Sequence, residues 1–261
     1  MPRASRYFLA GYVWHLTHRC HKKEFLLKFA RDRQRWRQWL FEARKRYGLC
    51  VLNYIVTSNH IHLLVHDRGQ GEIARSMQLI AGRTAQEYNQ RKGRKGAYWE
   101  DRYHATAVDT EGYLARCMTY IDLNMVRAGV VKHPAEWDIC GFREIQNNPA
   151  RYGVIDQAAL MALFGFTAPE QLRQACRSWV EESLRATPCQ RDSGWTESLA
   201  IGRPTFVNHV KESLGIKARH REVVEQEEAH VLREAAVAYM PHLGHEKGVL
   251  SEVNTVIWAE N

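Results

Sequence analysis

Two histidines separated by one residue form the first group in the sequence that could do chemistry. His60 and His62 stand in the segment TSNHIHLLV, directly after a polar turn and inside an apolar run. In a β-strand, side chains two residues apart point to the same face, so these imidazoles would project together while Ile61 and Leu63 point into the core. Such a pair can bind one divalent metal ion and leave positions open for a third ligand and for substrate. Taken alone, the pattern favours histidines without a metal, because His-x-His arises often by chance.

A tyrosine and an asparagine further along the chain could complete such a site. Tyr120 and Asn124 are four residues apart in a segment predicted to be helical, so they share one face of that helix. The amide oxygen of Asn124 could be a third metal ligand, and the phenol oxygen of Tyr120 could be a nucleophile. The alternative is that Tyr113 and Tyr120 are ordinary half-buried residues whose hydroxyl groups reach water.

A basic segment with interleaved aromatic residues, NQRKGRKGAYWEDRYH, precedes that helix. Basic side chains neutralise nucleic-acid phosphates and aromatic rings stack on unpaired bases, so the segment predicts a nucleic-acid contact. The alternative is a solvated loop in which Trp99 is a core anchor, and Arg127 could equally interact with the end of its own helix. The predicted DNA-binding residues are Arg91, Lys92, Arg94, Lys95, Trp99, Arg102, Tyr103 and Arg127.

Alternating and helical hydrophobic patterns predict the elements that must position these residues. The order is strand, helix, strand, strand, helix, strand, helix, with Thr110 as the expected N-cap of the last helix and Gly129 as its end. This order predicts an α+β fold, a ferredoxin-like antiparallel sheet with helices packed on one face. The predicted ranges are 6–19, 24–48, 49–56, 60–66, 71–91, a strand at the end of 92–108, and 110–129.

Charge and composition differ between two parts of the chain. Residues 1–150 carry 25 Lys and Arg against 14 Asp and Glu, whereas residues 151–261 carry 12 against 15. The basic part predicts a polyanionic partner, most commonly a nucleic acid, although a merely soluble basic protein has the same charge. We therefore expect a domain over 1–150 and a helical C-terminal extension over 151–261. Six cysteines without a CxxC pair, and no apolar run long enough to span a membrane, predict a reduced cytoplasmic protein.

The motifs together resemble those of a known family. TSNHIHLLV and AYWEDRYHATAVDTEGYLARCMTYIDLNMVRAGVV, with their spacing, are similar to the single-tyrosine HUH transposases and to their REP-associated tyrosine transposase branch. The resemblance implies the HUH endonuclease fold, His60 and His62 as metal ligands, Tyr120 as the nucleophile and Asn124 as the residue that completes the metal site. Met125 and Ser58 depart from the pattern, since many relatives have proline there, but neither departure removes a proposed catalytic group.

The resemblance also implies an activity. It implies cleavage and rejoining of single-stranded, hairpin-forming DNA through a covalent 5′-phosphotyrosine, with Mg²⁺ or Mn²⁺ as the cofactor. The expected oligomeric state is a monomer, with a homodimer as the alternative. Two other functions stay open: a non-catalytic nucleic-acid-binding regulator on the same fold, and an ordinary metal nuclease that uses Glu100 and Asp101. We expect four other histidines to be incidental and not ligands: His15, His18, His21 and His104.

Overall fold

A computed structural model describes residues 8–147, 149, 151–186, 192–226 and 229–234. The strands are β1 (Val13–Arg19), β2 (Cys50–Val56), β3 (His60–His66), β4 (His104–Val108), β5 (Ala200–Gly202), β6 (Arg221–Gln226) and β7 (Ala229–Glu234). The helices are α1 (Ala30–Tyr47), α2 (Glu72–Lys92), α3 (Tyr113–Asp122), α4 (Asn124–Arg127), α5 (Gly141–Gln146), α6 (Gln157–Phe164), α7 (Pro169–Arg185), α8 (Gly194–Glu197) and α9 (Pro204–Leu214).

The strands form one mixed sheet in the order β2-β3-β1-β4-β5-β7-β6. The first four strands are antiparallel to their neighbours, and with α1 and α2 they follow the strand–helix–strand–strand–helix–strand order of a ferredoxin-like unit. Every residue of β2 and the central residues of β3 are buried, because helices cover both faces of this part of the sheet. The predicted α+β class and ferredoxin-like arrangement are confirmed.

The helices lie on both faces of the sheet, so the prediction that they share one face is wrong. Adjacent residues of β2 point in opposite directions: the Asn53 amide donates to Asp122 of α3 at 3.0 Å, whereas the Tyr54 hydroxyl accepts from Arg37 of α1 at 2.8 Å. Helix α2 shares the α1 face, where the two helices pack together. The sheet therefore separates the α1–α2 layer from α3.

Two elements near the N-terminus are shorter than predicted. Strand β1 begins at Val13, because Gly11 has φ 83° and turns the chain ahead of it. Helix α1 begins at Ala30, after a 3-10 turn over His21–Lys23, and ends at Gly48, whose φ of 71° confirms the predicted C-cap. The strands over 50–56 and 60–66 match their predicted ranges closely.

The predicted helix over 110–129 is present in two pieces. It begins at Tyr113 with Gly112 at the N-cap position, so the prediction of Thr110 as the cap is wrong. Leu123, with φ −79° and ψ 4°, interrupts the helix between α3 and α4. Gly129 has φ 67° and ends the segment as predicted. The interruption lies between Tyr120 and Asn124, and both nevertheless face the same cavity.

The C-terminal part contains both helices and strands, whereas the sequence predicted a helical extension. Helices α6, α7 and α9 agree with the predicted helical extension, but the segment after α9 forms strands β6 and β7. These two strands pair with each other, and β7 pairs with β5. Because β5 pairs in parallel with β4, all three strands extend the sheet beyond β4. Val223, Val231 and Leu232 pair across these strands, and this pairing outweighs the helix propensity of their Glu and Ala neighbours. The domain boundary near residue 150 stays a prediction.

The described residues agree with two expectations from composition. No helix among them has the length and apolarity needed to cross a membrane. Cys20, Cys50, Cys117, Cys140 and Cys176 are buried free thiols, whereas Cys189 lies outside the described residues.

Candidate active site

The candidate site lies where the ends of three strands meet on the face that carries α3. The register places Thr17 of β1 opposite both His62 of β3 and His104 of β4, and it places Arg19 opposite His60. Paired residues point to the same face of a sheet, so this end of the sheet presents a cluster of polar side chains. A cavity of about 490 Å³ opens here, and Tyr120 and Asn124 line it together with these strand residues.

A chain of hydrogen bonds fixes the orientation of His62. The Nδ1–H of His15 donates to the carbonyl oxygen of Trp195 at 2.9 Å, because a carbonyl can only accept. The Nε2 of His15 is then an acceptor, and the Nδ1–H of His62 donates to it at 2.9 Å. The lone pair of His62 is therefore on Nε2 and points toward the cavity.

His60 has the same tautomer, set by different partners. Its Nδ1 lies 2.7 Å from Asn59 Oδ1, which accepts, and 2.9 Å from Thr57 Oγ1, whose own hydrogen is donated to the His60 carbonyl. Nδ1 is therefore the protonated nitrogen and Nε2 carries the lone pair. Hydrogen bonds to Nδ1 of this kind orient the histidines of metal sites and raise their basicity.

Burial keeps His62 and His15 neutral. It lowers the pKa of His62 well below the usual value of a histidine, and the nearby His60, His15 and Arg127 lower it further. Burial also lowers the pKa of His15 to about 3, although the Trp195 carbonyl opposes the shift. A neutral imidazole is the form that binds a metal ion. His62 is therefore in that form at neutral pH.

The donor set fits a divalent cation. His60 and His62 each have a lone pair on Nε2, and the Asn124 amide nitrogen donates to His62 Nε2 at 2.8 Å, so a carboxamide stands at the ligand atom itself. Within the described ranges, no cluster of three or more His, Cys, Asp or Glu side chains could hold a metal. Two imidazoles and a carboxamide, without a thiolate, can hold a divalent cation once the amide turns its oxygen toward it.

Tyr120 is held against this cluster by rings on both sides. Its ring lies 5.8 Å from that of His62, and Trp195 stacks on it at 5.9 Å with an interplanar angle of 30°. The Arg127 guanidinium lies 4.1 Å from the ring centroid and also donates to the Tyr120 backbone carbonyl. Only 8% of Tyr120 is exposed. The Tyr120 phenol, the His60 and His62 imidazoles and the Arg127 guanidinium thus share one cavity.

The predicted DNA-binding residues fall into two groups in the structure. Arg102 and Arg127 line the cavity with the histidines. Trp99 and Tyr103 lie behind it: the Trp99 indole donates to the Ala81 carbonyl at 3.0 Å and stacks on His18 at 4.0 Å, and Tyr103 is buried. Trp99 therefore has in part the role of a core anchor, which was the alternative in the sequence analysis. Trp99 and Tyr103 also line an adjoining groove, and Arg102 lines the same groove.

The second group lies at the C-terminal end of α2 and beyond it, away from the cavity. Arg91 forms an ion pair with Asp32, Lys92 lies over the Phe29 ring at 5.6 Å, and Arg94 donates to the Ala97 carbonyl at 2.8 Å. Lys95 is exposed. None of the four lines the cavity that holds His60 and Tyr120. If they contact DNA, they do so outside the candidate site.

Several residues of the site were missed or set aside in the sequence. His15 was expected to be incidental, but it hydrogen-bonds to His62 and orients it. His104 lines the cavity, as do Arg19, Thr196 and Glu197. The only sequence signal for His15 was a polar residue within a buried strand. Trp195 begins a segment with a weaker resemblance to the family, over 195–215, but it was not predicted as part of the site, because its contacts depend on a sheet extension that hydrophobic patterns did not predict.

Part of the chain matches a known protein family. Residues 10–124 match a family model described as "Transposase IS200 like". No curated protein sequence matches the chain.

Two solved structures are similar to the chain. One is a REP-associated tyrosine transposase bound to a REP hairpin, with 19% identity over 60% of this chain and 94% of that chain and a TM-score of 0.48. The other is a Deinococcus radiodurans R1 protein described as a transposase, with 18% identity over 45% of this chain and 94% of that chain and a TM-score of 0.33. The family match covers residues 10–124, the part of the chain that contains His60, His62, Tyr120 and Asn124.

Proposed function

We propose that this protein cleaves and rejoins single-stranded DNA through a covalent bond between Tyr120 and a 5′-phosphate. The observation that carries the proposal is the shared cavity: Tyr120 lies beside His62, and His62 and His60 both carry their lone pairs on Nε2. A nucleophile next to a metal-binding pair is what phosphoryl transfer to a protein side chain requires.

In the proposed step, the Tyr120 oxygen attacks the phosphorus and loses its proton, while the bond from phosphorus to the 3′-oxygen breaks. The 3′-oxygen takes up a proton and leaves as a 3′-hydroxyl. Arg127, at the Tyr120 ring, favours the phenolate and can contact the phosphate. A divalent cation held by His60, His62 and Asn124 would offset the negative charge on the phosphate oxygens. Because the phosphotyrosine conserves an ester bond, attack by a 3′-hydroxyl reverses the step and joins two strands.

The proposed substrate is a DNA hairpin with a short unpaired segment. The sequence resemblance implies such a substrate. The groove next to the cavity is lined by Arg102, which is suited to a phosphate, and by Trp99 and Tyr103, which are suited to unpaired bases. Cavity residues Arg19, Arg102 and Arg127 supply positive charge around the position of the scissile phosphate.

The test is an adduct assay with a matched tyrosine control. Labelled hairpin single strands with Mg²⁺ or Mn²⁺ should give a slowly migrating protein–DNA band on a denaturing gel. Tyr120→Phe should abolish this band while DNA binding survives, and Tyr113→Phe should leave it intact. An adduct that persists in Tyr120→Phe and disappears in Tyr113→Phe would move the nucleophile to Tyr113.

A metal nuclease is the second candidate, because Glu100 and Asp101 line the same cavity as His60 and His62. Carboxylates and imidazoles could activate water in place of a tyrosine. Such an enzyme would release cleaved DNA without any adduct, and Tyr120→Phe would then retain cleavage. A non-catalytic DNA-binding regulator would give neither adduct nor product.

A further inference from the structure

A segment beyond the family-matched residues closes one side of the cavity. Residues 194–198 lie on β4 and are tied to it by hydrogen bonds: Thr106 Oγ1 donates to the Ser198 carbonyl at 2.6 Å, and His104 Nε2 donates to the same oxygen at 2.8 Å. Arg233 of β7 donates to the Ser198 hydroxyl at 3.1 Å from the other side. Ser198 and Trp195 are buried. This segment is therefore a fixed part of the sheet surface.

Trp195 contacts both halves of the candidate site. Its ring stacks on the proposed nucleophile Tyr120 at 5.9 Å, and its backbone carbonyl accepts from His15, which in turn accepts from the ligand His62. One residue thus contacts the phenol through its side chain and the histidine pair through its backbone.

We propose that Trp195 is a positioning residue for both parts of the active site, the Tyr120 phenol and the histidine pair. The segment 194–198 thereby completes a catalytic site whose reacting groups all come from residues 10–124. This inference rests on the proposed function. The Trp195 ring, opposite the Arg127 guanidinium, limits the Tyr120 ring to one orientation beside His62. The Trp195 carbonyl fixes the tautomer of His15 and, through it, the direction of the His62 lone pair.

The two roles can be separated, because one uses the side chain and the other uses the backbone. Trp195→Leu removes the ring but keeps the carbonyl and most of the apolar volume. We expect adduct formation to slow about 100-fold, because misplacing a reacting group by about an ångström has that effect. Affinity for Mn²⁺ alone, measured by electron paramagnetic resonance without DNA, should change less than about threefold. Trp195→Phe restores an aromatic ring and should regain adduct formation to within about fivefold of wild type.

His15 tests the backbone role. His15→Leu breaks the link between the Trp195 carbonyl and His62 and should weaken Mn²⁺ binding about 10- to 100-fold. His15→Gln should restore much of this affinity, because its amide can donate to Trp195 and accept from His62. Labelling with 3-fluorotyrosine gives an independent measurement of the ring: the Tyr120 fluorine resonance, identified by its loss in Tyr120→Phe, should move in Trp195→Leu and stay near its wild-type position in His15→Leu.

Trp39→Leu is the matched tryptophan control, since Trp39 lies in α1 on the other side of the sheet, where its indole donates to Glu87 at 3.2 Å. It should lower the unfolding temperature without altering the adduct rate, the Mn²⁺ affinity or the Tyr120 resonance. The inference is overturned if Trp195→Leu forms adduct at the wild-type rate, if Trp195→Leu loses Mn²⁺ affinity as fully as His15→Leu does, or if the Tyr120 resonance does not move. If the wild-type protein forms no adduct, the proposed function fails, and the metal-affinity and resonance measurements still decide the positioning role.

Discussion

The proposed chemistry depends on which nitrogen of each histidine carries a proton. His62 is oriented by another histidine, and His60 is oriented by the turn just before it, through Thr57 and Asn59. Both arrangements use the Nδ1–H, so the lone pair of each ring is on Nε2. Burial keeps His62 and His15 uncharged, so the orientation survives over the neutral pH range. The pair is thus prepared for a cation by its neighbours, independently of the DNA.

One buried carboxyl group on the same helix gives a pH prediction that concerns folding. Asp122 lies on the side of α3 that faces β2, and its contact is the Asn53 amide at 3.0 Å. Burial raises the pKa of Asp122 from 3.8 to about 7, and the Asn53 hydrogen bond opposes the shift. Between these two values the folded protein binds more protons than the unfolded chain, so this group lowers stability as the pH rises from 4 through 7.

Asp122→Asn removes that charge and keeps the shape and a hydrogen bond to Asn53. The substitution should raise the free energy of unfolding by about 4 kcal/mol at pH 8, from the pKa difference, and by about 2 kcal/mol at pH 5. Denaturant unfolding at the two pH values measures the change. The control is Asp138→Asn, since that carboxylate is largely exposed and pairs with Arg143 at the surface. A gain that is equal at both pH values would contradict the assignment of the buried charge.

At the scale of elements, the sequence predicted the unit that holds the ligand pair. Ile61, Leu63 and Val65 alternate with histidines in β3 except at the buried Leu64, so period-two patterning predicted the strand and the shared direction of His60 and His62. The helix with Tyr120 was predicted from its spacing, and local pattern was sufficient in both cases. Thr110 failed as a cap because Gly112, with φ 84°, starts the helix two residues later.

The remaining part of the site comes from contacts between distant segments, which local pattern does not encode. His15 and Trp195 are 180 residues apart, and they meet only because β5 pairs in parallel with β4. Residues of β6 and β7 such as Glu222 and Arg233 favour helices by composition, yet the strands form because they pair with each other and with β5. Sequence reasoning therefore found the proposed nucleophile and the proposed ligands but not the residues that orient them.

The junction between β4 and β5 gives the second prediction. A Cβ added at Gly202 would lie 2.3 Å from Asp109 Cβ and 2.9 Å from the Phe206 ring. Asp109 is buried and forms an ion pair with Arg203 at 2.8 Å, so it cannot easily move. We expect Gly202→Ala to lower the free energy of unfolding by about 1–3 kcal/mol through overpacking.

Gly82 is the matched control for this substitution, because it lies within α2 and a Cβ there meets nothing within 4 Å. Gly82→Ala should instead stabilise the protein by about 0.5–1 kcal/mol, through helix propensity. Thermal unfolding of the two variants should therefore shift in opposite directions. Equal shifts in the unfolding temperature would contradict the expectation that a side chain in place of Gly202 is overpacked against Asp109.

At the scale of the whole molecule, the proposed nucleophile and the proposed ligands lie in one cavity of a single chain. A single copy therefore contains every group of the proposed reaction. The excess positive charge lies in residues 1–150, which include this cavity. Long-range attraction of DNA would therefore favour the part of the chain that carries the proposed chemistry.

The structure separates the predicted DNA-binding arginines, and salt dependence can test that separation. Arg102 is exposed at the rim shared by the cavity and the neighbouring groove, whereas Arg91 forms an ion pair with Asp32 in the α1–α2 layer. Each phosphate contact contributes about one unit to the slope of log affinity against log salt concentration. Arg102→Gln should reduce the slope for hairpin DNA by about 1, and Arg91→Gln should leave it unchanged. Fluorescence anisotropy titrations at several salt concentrations measure both slopes. An equal reduction in Arg91→Gln would place a DNA phosphate on the α1–α2 layer as well, and the bound strand would then extend well beyond the cavity that holds Tyr120.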